Sequence, residues 1–182
     1  SLVGATFSKT ALWAVVLSFL AIVAYTTFRY EFGYGMAAIL ALIHDVIVAT
    51  GIFLLCGREI SLPVVAAFLT IIGYSINNTI VIFDRIREIL ALEPNVKYGD
   101  VVNMGLNQTL SRTLMTSLTT LIVLVVLFFF GGITINDFVL VMLLGVIIGT
   151  YSSACIASPI VASWHKRTQG VMRREKAATK NA

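Results

Sequence analysis

His44 and Asp45 lie side by side in the middle of a long apolar run, and a titratable pair in such a place can take up and release a proton. Two further groups follow. Tyr74, Ser75, Asn77 and Asn78 interrupt a second apolar run, and Arg112 stands ahead of Thr113, Thr116, Ser117, Thr119 and Thr120 in a third. A charge at the centre of a bilayer costs about 2.5–3.5 kcal/mol even on the lenient insertion scale, so polar residues there mark function. These residue types suit ion or proton movement rather than bond making. No Ser or Cys falls in a turn with a matched His, which argues against a nucleophile and against an enzyme such as an intramembrane protease. Adjacent helical residues point about 100° apart, and His44 and Asp45 have no further ligand cluster beside them, so neither a metal site nor a cofactor is read.

The polar residues need helices to bring them together. Helical geometry places Tyr74 and Asn78 on one face, and Arg112, Thr116 and Thr119 or Thr120 on one face of the next helix. A seam supported by Tyr74, Asn77, Thr113, Thr116 and Ser117 results. Plain interhelical hydrogen bonding, worth about 0.6 kcal/mol per contact, would account for the Ser and Thr residues. It fits Asp45 and Arg112 poorly, since a charge is an expensive way to join helices. Gly145, Gly149, Ser153 and Ala157 recur every four residues and share a face that another helix can approach closely, within the bundle or from a second subunit.

Composition says what surrounds these helices. Hydrophobic residues make up 58% of the chain and charged ones only 12%, and the mean hydropathy is +0.94, which a water-soluble core could not bury. The fold class is therefore an all-α, polytopic transmembrane bundle. Spans of about 20 apolar residues are expected near 10–28, 34–55, 62–82, 113–130 and 138–164, five helices in one membrane domain over residues 1–165. The loop 83–112 begins as a continuation of the third helix through Glu88, and Val101, Val102, Leu106 and Leu110 have the spacing of a short amphipathic surface helix. Residues 166–182 form a basic tail, read as a solvated topology anchor or as a site for anionic lipid or a ribosome. The net charge of +4 is no nucleic-acid signal, because the charges cluster at helix ends and in this tail. Cys56 and Cys155, in different apolar segments, read as packing residues.

Arg29, Arg85, Arg87, Lys97, Arg112 and the tail cations fall on one side of such a bundle, with only Lys9 and Arg58 on the other. The positive-inside rule then makes the loop 83–112 and the C-terminus cytoplasmic and the N-terminus external in a multi-pass membrane protein.

Residues 73–88, GYSINNTIVIFDRIRE, are similar to a signature of the SecF family, and 108–120, QTLSRTLMTSLTT, to the one that follows it. His44-Asp45-Val46, Gly131-Gly132 and Gly149-Thr150-Tyr151-Ser152-Ser153 match in order and spacing as well. The resemblance spans nearly the whole chain. It implies the membrane fold of the resistance-nodulation-division (RND) class, with six helices and an outside domain between the first two; this sequence begins at what looks like the second. It further implies a bacterial cytoplasmic (inner) membrane location, a SecD partner, the Sec translocon (SecY, SecE, SecG) with a YajC-type accessory subunit, an exported polypeptide as cargo, and the proton motive force as driver. No nucleic acid is involved. In that family the position of Asn78 is usually Asp, which takes the proton beside the Arg matching Arg112, so His44, Asp45, Asn78 and Arg112 become the ion-coupling residues. Asn78 cannot ionise, so it is read either as an engineered lock that mimics the protonated acid or as a natural variant whose coupling relies on SecD or Asp45. Two other readings remain: an RND exporter of small molecules or lipids, and a passive membrane scaffold.

Overall fold

Glycine and proline punctuate an otherwise continuous helical sequence. The computed structural model describes residues 2–30, 32–93 and 95–165, and the basic tail 166–182 lies outside them. Five helices follow in order, α1 (Leu2–Arg29), α2 (Phe32–Leu55), α3 (Leu62–Leu92), α4 (Tyr98–Phe130) and α5 (Ile133–Ser152). A π-turn, Ser153–Ala157, interrupts α5, and the helix then runs on to His165. Gly57 and Gly132 adopt positive φ, 70° and 80°, in the tight turns before α3 and α5, a region that L side chains avoid. Pro63 sits in the first turn of α3, where its missing N–H has no partner to lose.

Residues 32–55, 62–92, 98–130 and 133–165 are each long and apolar enough to cross a bilayer, and α1 carries a shorter apolar stretch, Val16–Thr26. The expected loop 83–112 is largely helix. Nothing between Phe83 and Leu92 breaks α3, and the amphipathic segment with Val101 and Val102 forms the first turns of α4. Among the described residues there, only 93 and 95–97 lie outside helix, so Arg112 stands within α4 rather than opening it.

α3 is the hub, touching every other element. Its closest neighbour is α5, because the glycine stripe lies against it: Gly145 rests on Ile71 and Gly149 on Ser75. The stripe therefore packs within the bundle. Two apolar clusters form the core. One, with Ala49, Phe53, Ile71 and Val146, lies toward the α2–α3 turn, and the other, with Leu42, Phe83, Val101 and Val161, toward the α3–α4 turn. Between them, on α2 and α5, come Asp45 and Ser152, both buried.

Each end of the bundle is fastened. Arg58 and Asp137 pair at 2.7 Å at the α2–α3 turn end. At the other end Tyr30 donates to Asp84 at 2.9 Å, with the Arg29 and Arg87 guanidiniums over its ring. Burial first, then the Asp84 hydrogen bond, raise the Tyr30 phenol well above its ordinary pKa, so it stays a donor. Phe32 packs on Trp164, and Tyr98 stacks on His165 with ring centroids 3.8 Å apart.

Candidate functional site

Asp45 is the one buried Asp, Glu, His, Lys or Arg side chain among the described residues, 1% exposed. Three helices supply its surroundings. Ser75 of α3 and Ser152 of α5 both donate to Oδ2, at 2.5 and 2.7 Å, and His44 Nδ1 lies 3.1 Å from Oδ1. A carboxylate only accepts, so an ionised Asp45 requires the hydrogen of His44 on Nδ1. The Gly149 contact with Ser75 is what lets Ser152, three residues on and on the same face, reach the carboxylate. His44 itself is 36% exposed, so the pair joins the bundle interior to its surface.

A second polar chain runs beside the first. Thr150 donates to the Val146 carbonyl at 2.7 Å, which leaves its oxygen to accept from Ser117 at 2.6 Å, while Tyr74 donates to Ser117 at 3.2 Å. The direction of every donor in this chain is fixed by its last link. Tyr74 and Ser75, adjacent in α3, thus bind two different networks and tie α3, α4 and α5 at one level.

The other seam residues divide. Asn78 is buried, and its Nδ2 has no hydrogen-bond partner, which leaves a donor at a cost of about 1–3 kcal/mol. The contacts Tyr74–Ser117, Arg85–Gln108 and Ile86–Gly105 keep one antiparallel register, so Asn78 is level with buried Thr113. Arg112 is exposed and lines a polar recess with Asp84, Arg85, Glu88 and Gln108; it does not face Asn78 across a dry interface, and it forms no ion pair among the described residues. Asn77 points out of the bundle, and Thr116 turns its hydroxyl back to the Arg112 and Thr113 carbonyls. Ser153 likewise donates to the Thr150 carbonyl. Ser152 and Thr150 were not read as site residues from sequence, although Ser152 follows Gly149 on the close-packed face. Among the described residues no cluster of His, Cys, Asp and Glu could hold a metal ion.

The arrangement gathers around one carboxylate, 1% exposed, hydroxyls from two other helices and the ring of its neighbour His44. Comparison with known proteins identifies the family of the chain. A family model described as protein export membrane protein SecD/SecF, C-terminal, matches residues 1–167. The protein translocase subunit SecF of Desulfurispirillum indicum is 49% identical over 168 residues, covering 91% of this chain and 54% of that protein. The SecDF subunit of Thermus thermophilus is 45% identical over 165 residues, covering 91% of this chain and 22% of that one. A crystal structure of SecDF in a super-membrane-facing form superposes with a TM-score of 0.84 at 44% identity, over 95% of this chain and 23% of its own. The chain spans about half the length of the curated SecF relative from Desulfurispirillum.

Proposed function

The chain belongs to the SecD/SecF family of protein-export membrane proteins, and from that premise we propose that it is the membrane part of a SecF-like subunit that works with SecD to drive late steps of translocation through the Sec channel. The proton gradient is the energy source in this reading, and Asp45 is the group that takes the proton. The observation that carries it is a carboxylate 1% exposed, within a membrane span, held only by hydroxyls of two other helices and by its neighbour His44. Burying a charge without a cation partner is costly, and proteins keep such groups where protonation does work. Each proton that crosses carries about 2.3 kcal/mol per 100 mV, enough to bias two arrangements of a bundle. The exported polypeptide, SecY, SecE, SecG and a YajC-type subunit are the remaining partners in this reading.

The test is export into vesicles containing the full-length protein with SecD, with and without an imposed proton gradient. Asp45→Asn is expected to remove at least nine-tenths of the gradient-dependent increment while leaving ATP-driven export. Asn78→Asp adds a carboxyl level with Thr113 and is expected to enlarge the increment. An increment that survives Asp45→Asn would leave the chain as a passive scaffold with the coupling in SecD.

Orientation has its own test. With Cys56 and Cys155 replaced by Ser, a single cysteine at Asn95→Cys, in the α3–α4 turn, is expected to react only with reagent on the cytoplasmic side. One at Glu59→Cys, in the α2–α3 turn, is expected to react only from outside. The opposite pattern would invert the topology.

A further inference from the structure

The helical ladder of α5 changes step immediately after the residue that holds Asp45. Ser152 donates to Asp45, the π-turn occupies Ser153–Ala157, and Ser158 closes it by donating to the Ser153 carbonyl at 3.0 Å. Pro159 explains why the break is here: it has no N–H for the carbonyl four residues back, and its ring crowds that turn. A π-turn carries one residue more than the α-turn it replaces, is rare, and occurs mostly at functional sites.

Two further observations give this slack a use. A groove of about 400 Å³ lies between α4 and α5, walled on the α5 side by Thr150, Tyr151, Ser153 and Ala154 and on the α4 side by residues that include Leu114. The helix is also fixed on both sides of the turn, by Gly145 on Ile71 before it and by Trp164 on Phe32 after it. A latch on a titratable group, a surplus residue and free volume therefore meet over two turns of one helix.

We propose that the π-turn is the moving joint of the coupling site. With Asp45 ionised, the hydrogen bonds from Ser75 and Ser152 are charge-assisted and hold α5 against α2 and α3. A proton from water adds to the carboxylate, those bonds weaken, and the surplus residue passes toward the N-terminal side of α5. Each residue passed turns the segment by about 100°, which carries Ser152 off Asp45 and moves the Thr150–Ala154 wall into the groove. Loss of the proton to the other side restores the latch; no other bond forms or breaks. The groups that face Asp45 are His44 from its own helix, Ser75 from α3 and Ser152 from α5, and no second charged side chain lies within ion-pair distance of it among the described residues. The inference rests on Asp45 being the proton acceptor.

The experiment uses the full-length protein with SecD in vesicles, on a Cys56→Ser, Cys155→Ser background. Leu114→Cys and Ala154→Cys place a thiol on each wall of the groove, and oxidative cross-linking between them reports its closure. Adding Asp45→Asn, the neutral mimic, is expected to raise the cross-linking rate at least fivefold. Deleting position 155 together with Pro159→Ala lets the turn close as α-helix without altering the register on either side. In that chain the rate is expected to change less than twofold with Asp45→Asn. With Asp45 intact and without the added cysteines, the same deletion is expected to cut gradient-stimulated export to a tenth or less, while gradient-independent export persists. Unchanged cross-linking on Asp45→Asn with the turn intact, or full gradient stimulation after the deletion, overturns the joint. If instead Asp45→Asn leaves gradient stimulation whole, the proton acceptor has been misassigned and the joint falls with it.

Discussion

Replacing Ser75 and Ser152 together by alanine is expected to lower the stability of the bundle by about 2–4 kcal/mol, and adding Asp45→Asn to that pair is expected to restore most of the loss. Both hydroxyls donate to the same oxygen of a side chain that water does not reach, and hydrogen bonds to a charged group contribute about 1.5–3 kcal/mol each. Interhelical hydrogen bonds in membranes average nearer 0.6 kcal/mol, which is why the estimate sits below the sum of two charged bonds. Without them the charge is buried with only His44 beside it. An amide at position 45 has no charge to strand, so the same two alanines cost it far less. The check is a double-mutant cycle read by reversible unfolding in detergent. If the three substitutions add, with no recovery from Asp45→Asn, the carboxyl is already neutral in the resting bundle.

Gly145→Leu is expected to cost about 3 kcal/mol or to stop the protein accumulating at all. A Cβ at this position would already overlap the side chain of Ile71, with α3 and α5 in their closest contact directly behind it. Overpacking a dense core forces backbone shifts worth about 1–3 kcal/mol, and this site can relax only by separating the two helices that hold Ser75 and Ser152. Gly145→Ala is expected to fall between wild type and Leu. Ile71→Ala should relieve part of the loss, because it removes the colliding atoms. Gly73→Ala, on the open face of α3 where nothing lies within 4 Å, serves as the control and is expected to be tolerated. A stable Gly145→Leu chain would mean that the α3–α5 contact is looser than drawn.

The sequence was informative where one physical term dominated. Apolar run length located four helices long and apolar enough to span, since about 20 residues are needed and the runs are separated by turn residues, whereas α1, expected to span over 10–28, carries only the shorter apolar stretch Val16–Thr26. His44 and Asp45 stood out because ionisable groups are rare in such runs. Tyr74 and Ser117 were both assigned to the polar seam and do meet, although helical spacing had put Arg112, Thr116 and Thr119 or Thr120 on the facing side. Arg112 and Asn77 were placed there too, yet both are exposed, because spacing gives a face without saying what lies opposite it. Ser152 and Thr150 were passed over since a hydroxyl in an apolar helix ordinarily bonds its own carbonyl, as Thr116 and Thr119 do here. Only the partner helix turns Ser152 into a ligand of Asp45. The extent of α3 and α4 was hidden by polar residues that read as loop but solvate a helix leaving the membrane. Pro159 was passed over in the sequence, and a proline inside an apolar run does not by itself tell a kink from a surplus residue.

That extra length has a mechanical consequence. α3 has 31 residues and α4 has 33, so at 1.5 Å per residue they measure about 46 and 50 Å, against a hydrocarbon layer of about 30 Å. Beyond it the two stay zipped, with Gly105 seated on Ile86 and Arg85 bonded to Gln108, so the projecting part moves as one arm. Ser75 and Leu92, at its tip, are about 25 Å apart along the same rod. A tilt of about 5° about Ser75 would swing that tip through about 2 Å, so the length of the arm magnifies an adjustment made beside Asp45.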